Sequence, residues 1–327
     1  MRARRVLLAA LVVHMPVVAA RSAIKRPTKS AISVDTIVQL EVKDWGGAGP
    51  PLVLLAGFGR TASDFDGFAQ KFTERHRVLA ITRRGFGGSS APTPVAANYT
   101  PERLAADTIA VLDKLKIKTA FIAGHSVAGQ ELSELGSRYP DRIAGLIYME
   151  AANAQAFYGA NADRLYPIAG EIRRDLEKLI KSQPSEATAL VAKIKNELPR
   201  LQRGLAWYGR AVQGVPDRPA EMLNSPITAT QNAIVLGAKV YGPLGMPILA
   251  LFAAPPQCAP DCASGASKRR ASDTETQIKD FKAANPKATV ISLSNASHFI
   301  WESNEADTVK AMDAFMDAGQ RGGANGG

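Results

Sequence analysis

Apolar runs that suit buried strands alternate with segments of helical spacing along most of this 327-residue chain, and this alternation constrains the fold more than any other feature. Residues 52–55 are continuously apolar, which is typical of a strand covered on both faces. Residues 101–115 begin with proline and carry apolar residues at helical spacing, which predicts a helix. Another apolar run, residues 120–123, predicts the next strand. Repeated units of this kind predict an α/β fold, with a mostly parallel sheet between two layers of helices.

The alternation stops after Glu150 and resumes near residue 247. The stretch between them contains helical segments and few strand-like runs, so we interpret it as a helical cap inserted into the sheet domain. The predicted organisation is a signal peptide at 1–20, a linker at 21–34, a core in two parts at 35–154 and 241–320, the cap at 155–240 and a disordered tail at 321–327.

The start of the chain has the pattern of a secretory signal. Arg2, Arg4 and Arg5 precede an apolar run at residues 6–20, which ends in small residues suited to cleavage after Ala20. The run is shorter than the roughly 20 apolar residues of a comfortable membrane span. We therefore expect an exported protein, periplasmic or secreted, with no stable membrane span in the mature chain. An uncleaved N-terminal anchor is the alternative.

Charge and cysteine content argue against several classes of function. The formal net charge is +10, but the basic residues are scattered and not interleaved with aromatic residues, which argues against nucleic-acid binding. The two cysteines are Cys258 and Cys262. With no histidine or further cysteine near them they make a poor zinc site, and in an oxidising compartment a disulfide between them is favoured. No metal or organic cofactor is expected.

Residues 121–129 carry the strongest functional signal, Phe-Ile-Ala-Gly-His-Ser-Val-Ala-Gly. A predicted strand runs into a sharp turn that holds Ser126, and then into a predicted helix. The small residues two positions before and after this serine, Gly124 and Ala128, allow the turn to approach neighbouring backbone. The pattern predicts a nucleophilic serine raised above the sheet, with the N–H of Val127 free at the helix start to stabilise an oxyanion.

A nucleophilic serine needs a base, and the chain contains four histidines. His14 lies in the predicted signal, and His76 precedes a strand, far from the carboxyl edge of the sheet where sites of such folds lie. His125 is adjacent to Ser126, so we expect its side chain to point away from the nucleophile. His298 follows the last predicted strand, and its place after the serine in the chain fits such sites, so His298 is the predicted base.

A glycine-rich loop follows the predicted strand at residues 52–55. It reads Ala56-Gly57-Phe58-Gly59, and glycines at these positions let the backbone approach a bound substrate closely. The N–H of Phe58 is the predicted second oxyanion donor, beside that of Val127. A plain glycine-rich turn is the alternative.

These motifs, together with the run Arg84-Gly85-Phe86-Gly87-Gly88-Ser89, resemble those of the α/β-hydrolase family over nearly all of the chain after the signal. The resemblance implies a serine hydrolase built on an eight-stranded, mostly parallel sheet, with a cap between the sixth and seventh strands. The interruption after Glu150 falls at that position.

The acid that would orient His298 departs from the pattern of most relatives. The resemblance implies an aspartate shortly after the seventh strand, but residues 251–258 contain no carboxylate. Glu150 ends the sixth predicted strand, which resembles the position of the acid in some haloalkane dehalogenases of this fold. From that strand end a carboxylate can reach the histidine ring. Glu150 is therefore the predicted acid, and Asp261 and Glu302 are the alternatives.

These residues predict a carboxylesterase-like serine hydrolase that acts on a small-molecule acyl substrate. Hydrolysis of a carboxylic ester or lactone is the leading expectation, and hydrolysis of an amide or a carbon–carbon bond is the alternative. The resemblance associates haloalkane dehalogenases and epoxide hydrolases with an aspartate nucleophile, so Ser126 argues against both activities. A ligand-binding receptor or scaffold with weak catalysis is the alternative of a different class.

Overall fold

The computed structural model describes residues 26–152, 165–213, 216–258 and 262–324. The predicted signal peptide at 1–20 and the alternative acid Asp261 lie outside these ranges. Within them, no helix combines the length and the apolar character needed to cross a bilayer.

Eight strands form one sheet at the centre of the fold. They are β1 Thr28–Ser33, β2 Gln39–Gly46, β3 Pro51–Leu55, β4 Arg77–Ile81, β5 Ala120–His125, β6 Ile143–Met149, β7 Ile248–Ala253 and β8 Thr289–Leu293. Their spatial order is β1-β2-β4-β3-β5-β6-β7-β8. β2 runs antiparallel to both of its neighbours, and the pairs from β4 through β8 are parallel. The predicted mostly parallel α/β-hydrolase sheet is confirmed.

Helices connect the parallel strands and flank the sheet. They are α1 Pro101–Lys114, α2 Ala128–Arg138, α3 Leu165–Leu179, α4 Pro184–Ala211, α5 Ala220–Leu223, α6 Pro226–Gly237, α7 Gly265–Ala284, α8 Ile300–Ser303 and α9 Glu305–Ala324. Helices α3 to α6 lie between β6 and β7, in the stretch where the sequence predicts the cap.

Alternate residues of the central strands pack on opposite faces of the sheet. Val53 and Leu55 of β3 belong to one buried apolar cluster, which includes Leu132 of α2. Leu52 and Leu54 belong to a second cluster on the other face. Burying a leucine of this kind stabilises the fold by about 1.5–3 kcal/mol. The double coverage explains why this strand is apolar without alternation, and it fixes the strand ends that hold the site.

Residues 28–33 form β1, where the sequence analysis places part of a linker at 21–34. All six residues pair in antiparallel register with β2. Ile32 alone among them is buried. The strand is held at the sheet edge by main-chain hydrogen bonds and lacks the apolar alternation by which a strand is recognised in a sequence.

The predicted disordered tail at 321–327 begins too early. α9 continues to Ala324, so residues 321–324 are helical; residues 325–327 lie outside the described ranges. Glycines near this end have low intrinsic helix propensity, which favours an earlier stop. A helix that is already formed extends at little cost, because each added residue gains a hydrogen bond without a new nucleus.

Candidate active site

The turn between β5 and α2 presents Ser126 at the carboxyl edge of the sheet. β5 is buried along its whole length, and α2 begins at Ala128. Ser126 has a φ of 54°, a left-handed conformation that costs a non-glycine residue about 1–3 kcal/mol. A Cβ atom on Gly124 would lie 2.9 Å from the Cβ of Ala128 and 3.0 Å from a methyl group of Leu132. The motif thus forms a sharp strand–turn–helix that only a small residue at position 124 permits.

β6 ends beside this turn, and Glu150 follows it directly. His125 of β5 is paired with Met149 of β6, and the N–H of Ser126 donates to the Met149 carbonyl at 3.3 Å. Glu150 has a φ of 50°, so it also adopts the left-handed conformation. The topology therefore places the predicted nucleophile and the predicted acid at neighbouring strand ends.

Glu150 is in direct contact with the predicted base. Its Oε2 atom lies 3.2 Å from Nδ1 of His298, and its Oε1 atom accepts the N–H of Ala253 at 2.5 Å. The Glu150 side chain is 13% exposed and that of His298 is 36% exposed, so the pair lies at the boundary between core and solvent. A carboxylate facing Nδ1 makes this nitrogen the donor, which leaves Nε2 of His298 as the atom that can take a proton.

Ser126 and His298 lie in the same site. In the described part of the chain, the serine hydroxyl and the histidine ring form no hydrogen bond with each other. They are linked through His125, whose ring centroid lies 4.5 Å from that of His298. Hydrogen bonds between a nucleophile and its base are often long without substrate and shorten when substrate is bound. The arrangement has the components of a serine–histidine–carboxylate site with its last contact open.

The loop after β3 lies against the same turn. β3 and β5 are parallel neighbours, with Leu55 opposite Gly124. A Cβ atom on Gly57 would lie 3.3 Å from the Cβ of Ser126, so glycine is what allows the loop to come this close. Phe58 packs against an apolar cluster that contains Val127. The two residues predicted to donate to an oxyanion therefore lie in one apolar cluster beside the turn that holds Ser126.

That apolar cluster also includes part of the helical insertion. Its buried members are Phe86, Tyr99, Val127, Ala233 and Ile234, with Phe58 packed on them. Ala233 and Ile234 belong to α6. An apolar surface made by both the sheet domain and the insertion thus adjoins Ser126.

Of the two alternative acids, Glu302 lies within the described residues and Asp261 does not. Glu302 is exposed on α8 and forms no ion pair with His298 among the described residues. Asp261 lies in the part of the chain outside the description. Glu150 is therefore the carboxylate that the described structure brings to the histidine.

Cys258 and Cys262 are joined by the disulfide that the sequence favours. The segment leading into it is attached to the loop before His298, since the N–H of Gln257 donates to the carbonyl of Ala296 at 2.8 Å. Because both sulfurs are bonded to each other, neither can hold a metal as a thiolate. Over the described ranges, no group of three or more histidine, cysteine, aspartate or glutamate side chains is arranged to bind a metal ion.

His125 is a part of the site that the sequence analysis did not identify. The side chain is only 2% exposed, and its Nε2 atom lies 2.9 Å from the main-chain carbonyl oxygen of His298. Burial, followed by the charge of the nearby His298, lowers the pKa of His125 to about 3. The two residues are 173 positions apart, so no local pattern in the sequence signals their contact.

The lowered pKa of His125 predicts a loss of stability in acid. The unfolded chain takes up a proton at this residue near its ordinary pKa of 6.5, whereas the folded protein resists protonation down to about pH 3. The free energy of unfolding should therefore fall as the pH is lowered from 6.5 towards 3, by about 2 kcal/mol at pH 5 from this residue. Urea unfolding at pH 7.5 and pH 5 measures the change. Burial also lowers the pKa of His76, so His125→Phe should retain a smaller pH dependence of the same sign from that residue. An equal pH dependence in wild type and His125→Phe would contradict the assignment to His125.

A model of the alpha/beta hydrolase family matches residues 52–311. The chain belongs to this family. The matched range contains the loop after β3, Ser126, Glu150, the helical insertion and His298. Membership in the α/β-hydrolase family supports hydrolase activity as the general chemistry of this site.

Relatives in this family have diverse named activities. A non-heme chloroperoxidase of Streptomyces lividans is 33% identical over 112 residues, which are 33% of this chain and 40% of the relative. An epoxide hydrolase of Caballeronia sordidicola is 34% identical over 98 residues, which are 30% of each chain. The match spans less than half the length of these relatives.

Solved structures of α/β-hydrolases agree with the fold over most of the chain. A thermophilic esterase from Thermogutta terrifontis superposes with a TM-score of 0.55 at 17% identity, covering 90% of this chain and 99% of the esterase. At this level of identity the likeness establishes the fold alone.

Proposed function

We propose that the protein is a serine hydrolase that cleaves a carboxylic ester or lactone through an acyl-enzyme intermediate. The proposal depends on one observation, which is that the segments following β5, β6 and β8 meet at one edge of the sheet. Ser126 is held in a left-handed turn after β5, beside the strand end that bears Glu150, and Glu150 contacts His298 at 3.2 Å. These are the residue types that acyl transfer by a serine requires, and they meet at one edge of the sheet.

The first half of the proposed reaction forms the acyl-enzyme. Nε2 of His298 takes the hydroxyl proton of Ser126 as the serine oxygen attacks the substrate carbonyl carbon. The negative charge on Glu150 stabilises the imidazolium that results. The main-chain N–H groups of Phe58 and Val127 donate to the oxyanion. The tetrahedral intermediate then collapses, the bond to the alcohol breaks, and His298 gives its proton to the departing alkoxide.

The second half repeats these roles with water. His298 removes a proton from a water molecule, whose oxygen attacks the acyl carbon to form a second tetrahedral intermediate. As this intermediate collapses, the bond to the Ser126 oxygen breaks, and His298 gives its proton to that oxygen. The products are a carboxylic acid and the regenerated serine hydroxyl. For a lactone, the acid and the alcohol remain in one molecule. Each step uses groups of this chain and the water molecule alone.

The identity of the nucleophile separates this proposal from some activities named among relatives. The epoxide hydrolase of Caballeronia sordidicola is one such relative, and the family resemblance associates that activity with an aspartate nucleophile. This chain has Ser126 at the position in question. Acyl transfer is therefore favoured, with amide or carbon–carbon bond hydrolysis by the same residues as the second candidate.

The surroundings of Ser126 favour an apolar acyl group. Phe58 is partly exposed, and it packs on buried apolar residues of both the sheet domain and α6, among them Val127 and Ile234. An apolar acyl chain laid against such a surface gains about 25 cal/mol for each Å² removed from water. We therefore propose a small-molecule acyl substrate with an apolar acid portion.

The location of the protein is part of the proposal. The apolar N-terminal run after Arg5 supports export to the periplasm or the exterior. The bond between Cys258 and Cys262 supports the same location, because disulfides persist in oxidising compartments.

Hydrolysis of p-nitrophenyl esters by purified residues 21–327 tests the proposal. We expect turnover of acetate, butyrate and octanoate esters, and slower turnover of the matching p-nitroanilides, which are amides with the same chromophore. A fluorophosphonate probe should label the protein once, at Ser126. Hydrolysis of the anilides at rates equal to the esters would favour the amide candidate. Absence of both turnover and labelling would contradict a serine hydrolase and favour the receptor or scaffold.

A further inference from the structure

His125 lies between the two loops that flank the nucleophile. On one side its Nε2 atom is 2.9 Å from the carbonyl oxygen of His298. On the other side its Nδ1 atom points at Gly57 of the oxyanion loop, since a Cβ atom on that glycine would lie 2.7 Å from Nδ1. Ring contacts to His298 and Trp301, each with centroids 4.5 Å apart, hold the imidazole in this orientation.

The contact with His298 determines which ring nitrogen of His125 carries the proton. A carbonyl oxygen only accepts hydrogen bonds, so Nε2 must be the donor. Nδ1 is then unprotonated, and it is buried with no hydrogen-bond partner among the described residues. The lowered pKa of His125 keeps the ring neutral at any pH at which the enzyme would work, so this tautomer persists.

The loop that carries His298 has few other hydrogen bonds to the body of the sheet. The N–H of Ser297 donates to the hydroxyl of Ser303, and the N–H of Phe299 donates to the hydroxyl of Ser297. Both hydrogen bonds lie within the segment itself. Further back, Asn295 and Ala296 are hydrogen-bonded to the segment after β7. In the described part of the chain, His125 makes the hydrogen bond that attaches the main chain of His298 to the strand bearing the nucleophile.

We propose that His125 is a positioning residue: its Nε2–H group holds the main chain of His298 in place, so that the imidazole contacts Glu150 and is available to take the Ser126 proton when substrate is bound. The side chain of His298 is fixed by Glu150 and its main chain by His125, so the base has two independent anchors on two adjacent strands. The assignment of a role in turnover rests on the proposed function, whereas the hydrogen bond itself does not.

Three variants test this role through ester hydrolysis. His125→Phe keeps a ring of similar size against His298 and Trp301 but removes the donor. We expect kcat to fall about 10- to 100-fold with KM within about 2-fold of wild type, because a small displacement of a catalytic group slows chemistry more than binding. His125→Gln restores an N–H donor without the ring and should recover part of kcat.

His76→Phe is the matched control. His76 is also fully buried, and its Nδ1 atom lies 3.1 Å from the carbonyl oxygen of Pro50. It lies at the opposite edge of the sheet, before β4, so the same substitution there should leave kcat unchanged. A kcat for His125→Phe within about 2-fold of wild type, in a variant that unfolds cooperatively, would overturn the proposal. An equal loss of kcat in His76→Phe and in His125→Phe would also overturn the proposal.

A second measurement does not depend on activity. ¹⁵N spectra of wild type labelled at histidine report which ring nitrogen of His125 is protonated, and the spectrum of His125→Gln assigns the signal. The proposal requires protonation at Nε2, and protonation at Nδ1 would overturn it. If wild type hydrolyses no ester, the proposed function fails, and the ¹⁵N result still decides whether His125 holds the loop of His298.

Discussion

Replacing Ser126 by alanine is expected to lower kcat for p-nitrophenyl ester hydrolysis by at least about 10⁴-fold while the fold is retained. The proposed reaction passes through a covalent bond to the Ser126 oxygen, and removal of a serine nucleophile leaves only the catalysis that binding and oxyanion stabilisation supply. Steady-state kinetics, together with loss of labelling by a fluorophosphonate probe, measure the effect.

Two further variants control for structural effects of the Ser126 substitution. Ser272→Ala, at an exposed position of α7, should leave kcat and labelling unchanged. Ser126→Gly also removes the nucleophile, but glycine adopts a φ of 54° without strain, so it should exceed Ser126→Ala in unfolding free energy by about 1 kcal/mol. Ester hydrolysis by Ser126→Ala at more than about a tenth of the wild-type rate would show that another residue is the nucleophile.

Replacing Glu150 by glutamine is expected to lower kcat by about 10³- to 10⁴-fold. Oε1 of Glu150 accepts the N–H of Ala253, and a glutamine should keep its carbonyl oxygen at that position. Its amide nitrogen would then face Nδ1 of His298, where the carboxylate oxygen now lies at 3.2 Å. An amide N–H can only donate, so Nδ1 would become the acceptor and the ring proton would move to Nε2. The ring would be held in the tautomer that cannot take the serine proton.

The competing acids provide the comparison for Glu150→Gln. Asp261→Asn and Glu302→Gln make the same isosteric change at the two alternative positions, and both should keep kcat within about 3-fold of wild type. Thermal unfolding of each variant separates loss of chemistry from loss of fold. A large loss in Asp261→Asn together with a small one in Glu150→Gln would move the role of the acid to Asp261.

The nucleophile turn was predictable because all of its determinants lie within residues 121–129. A buried strand, small residues at 124 and 128, and a helix start are local features, and the structure assembles them as the motif predicts. Glu150 required one more step, because its relation to Ser126 depends on β5 and β6 being neighbours in the sheet. The family resemblance supplied that topology.

Other features were not predictable from local patterns. The hydrogen bond from His125 to His298 joins residues that are far apart in the chain, and periodicity contains no information about such a pair. β1 is stabilised mainly by pairing with β2, and Ile32 is its one buried residue, so its sequence resembles that of a linker. In both cases at least one partner is a main-chain group, and a local sequence pattern does not show which distant partner such a group will find.

The position of α6 distinguishes substitutions of the proposed catalytic residues from substitutions of the residues that surround them. The atoms proposed to make and break bonds belong to the sheet edge, whereas Ala233 and Ile234 reach the same place from a helix inserted between β6 and β7. Substitutions in that helix alter the packing of the apolar cluster beside Ser126 without altering the contact of Glu150 with His298. If the proposed function holds, the insertion can diverge towards new acyl groups while the reaction stays the same, so sequence divergence in the insertion does not by itself indicate loss of activity.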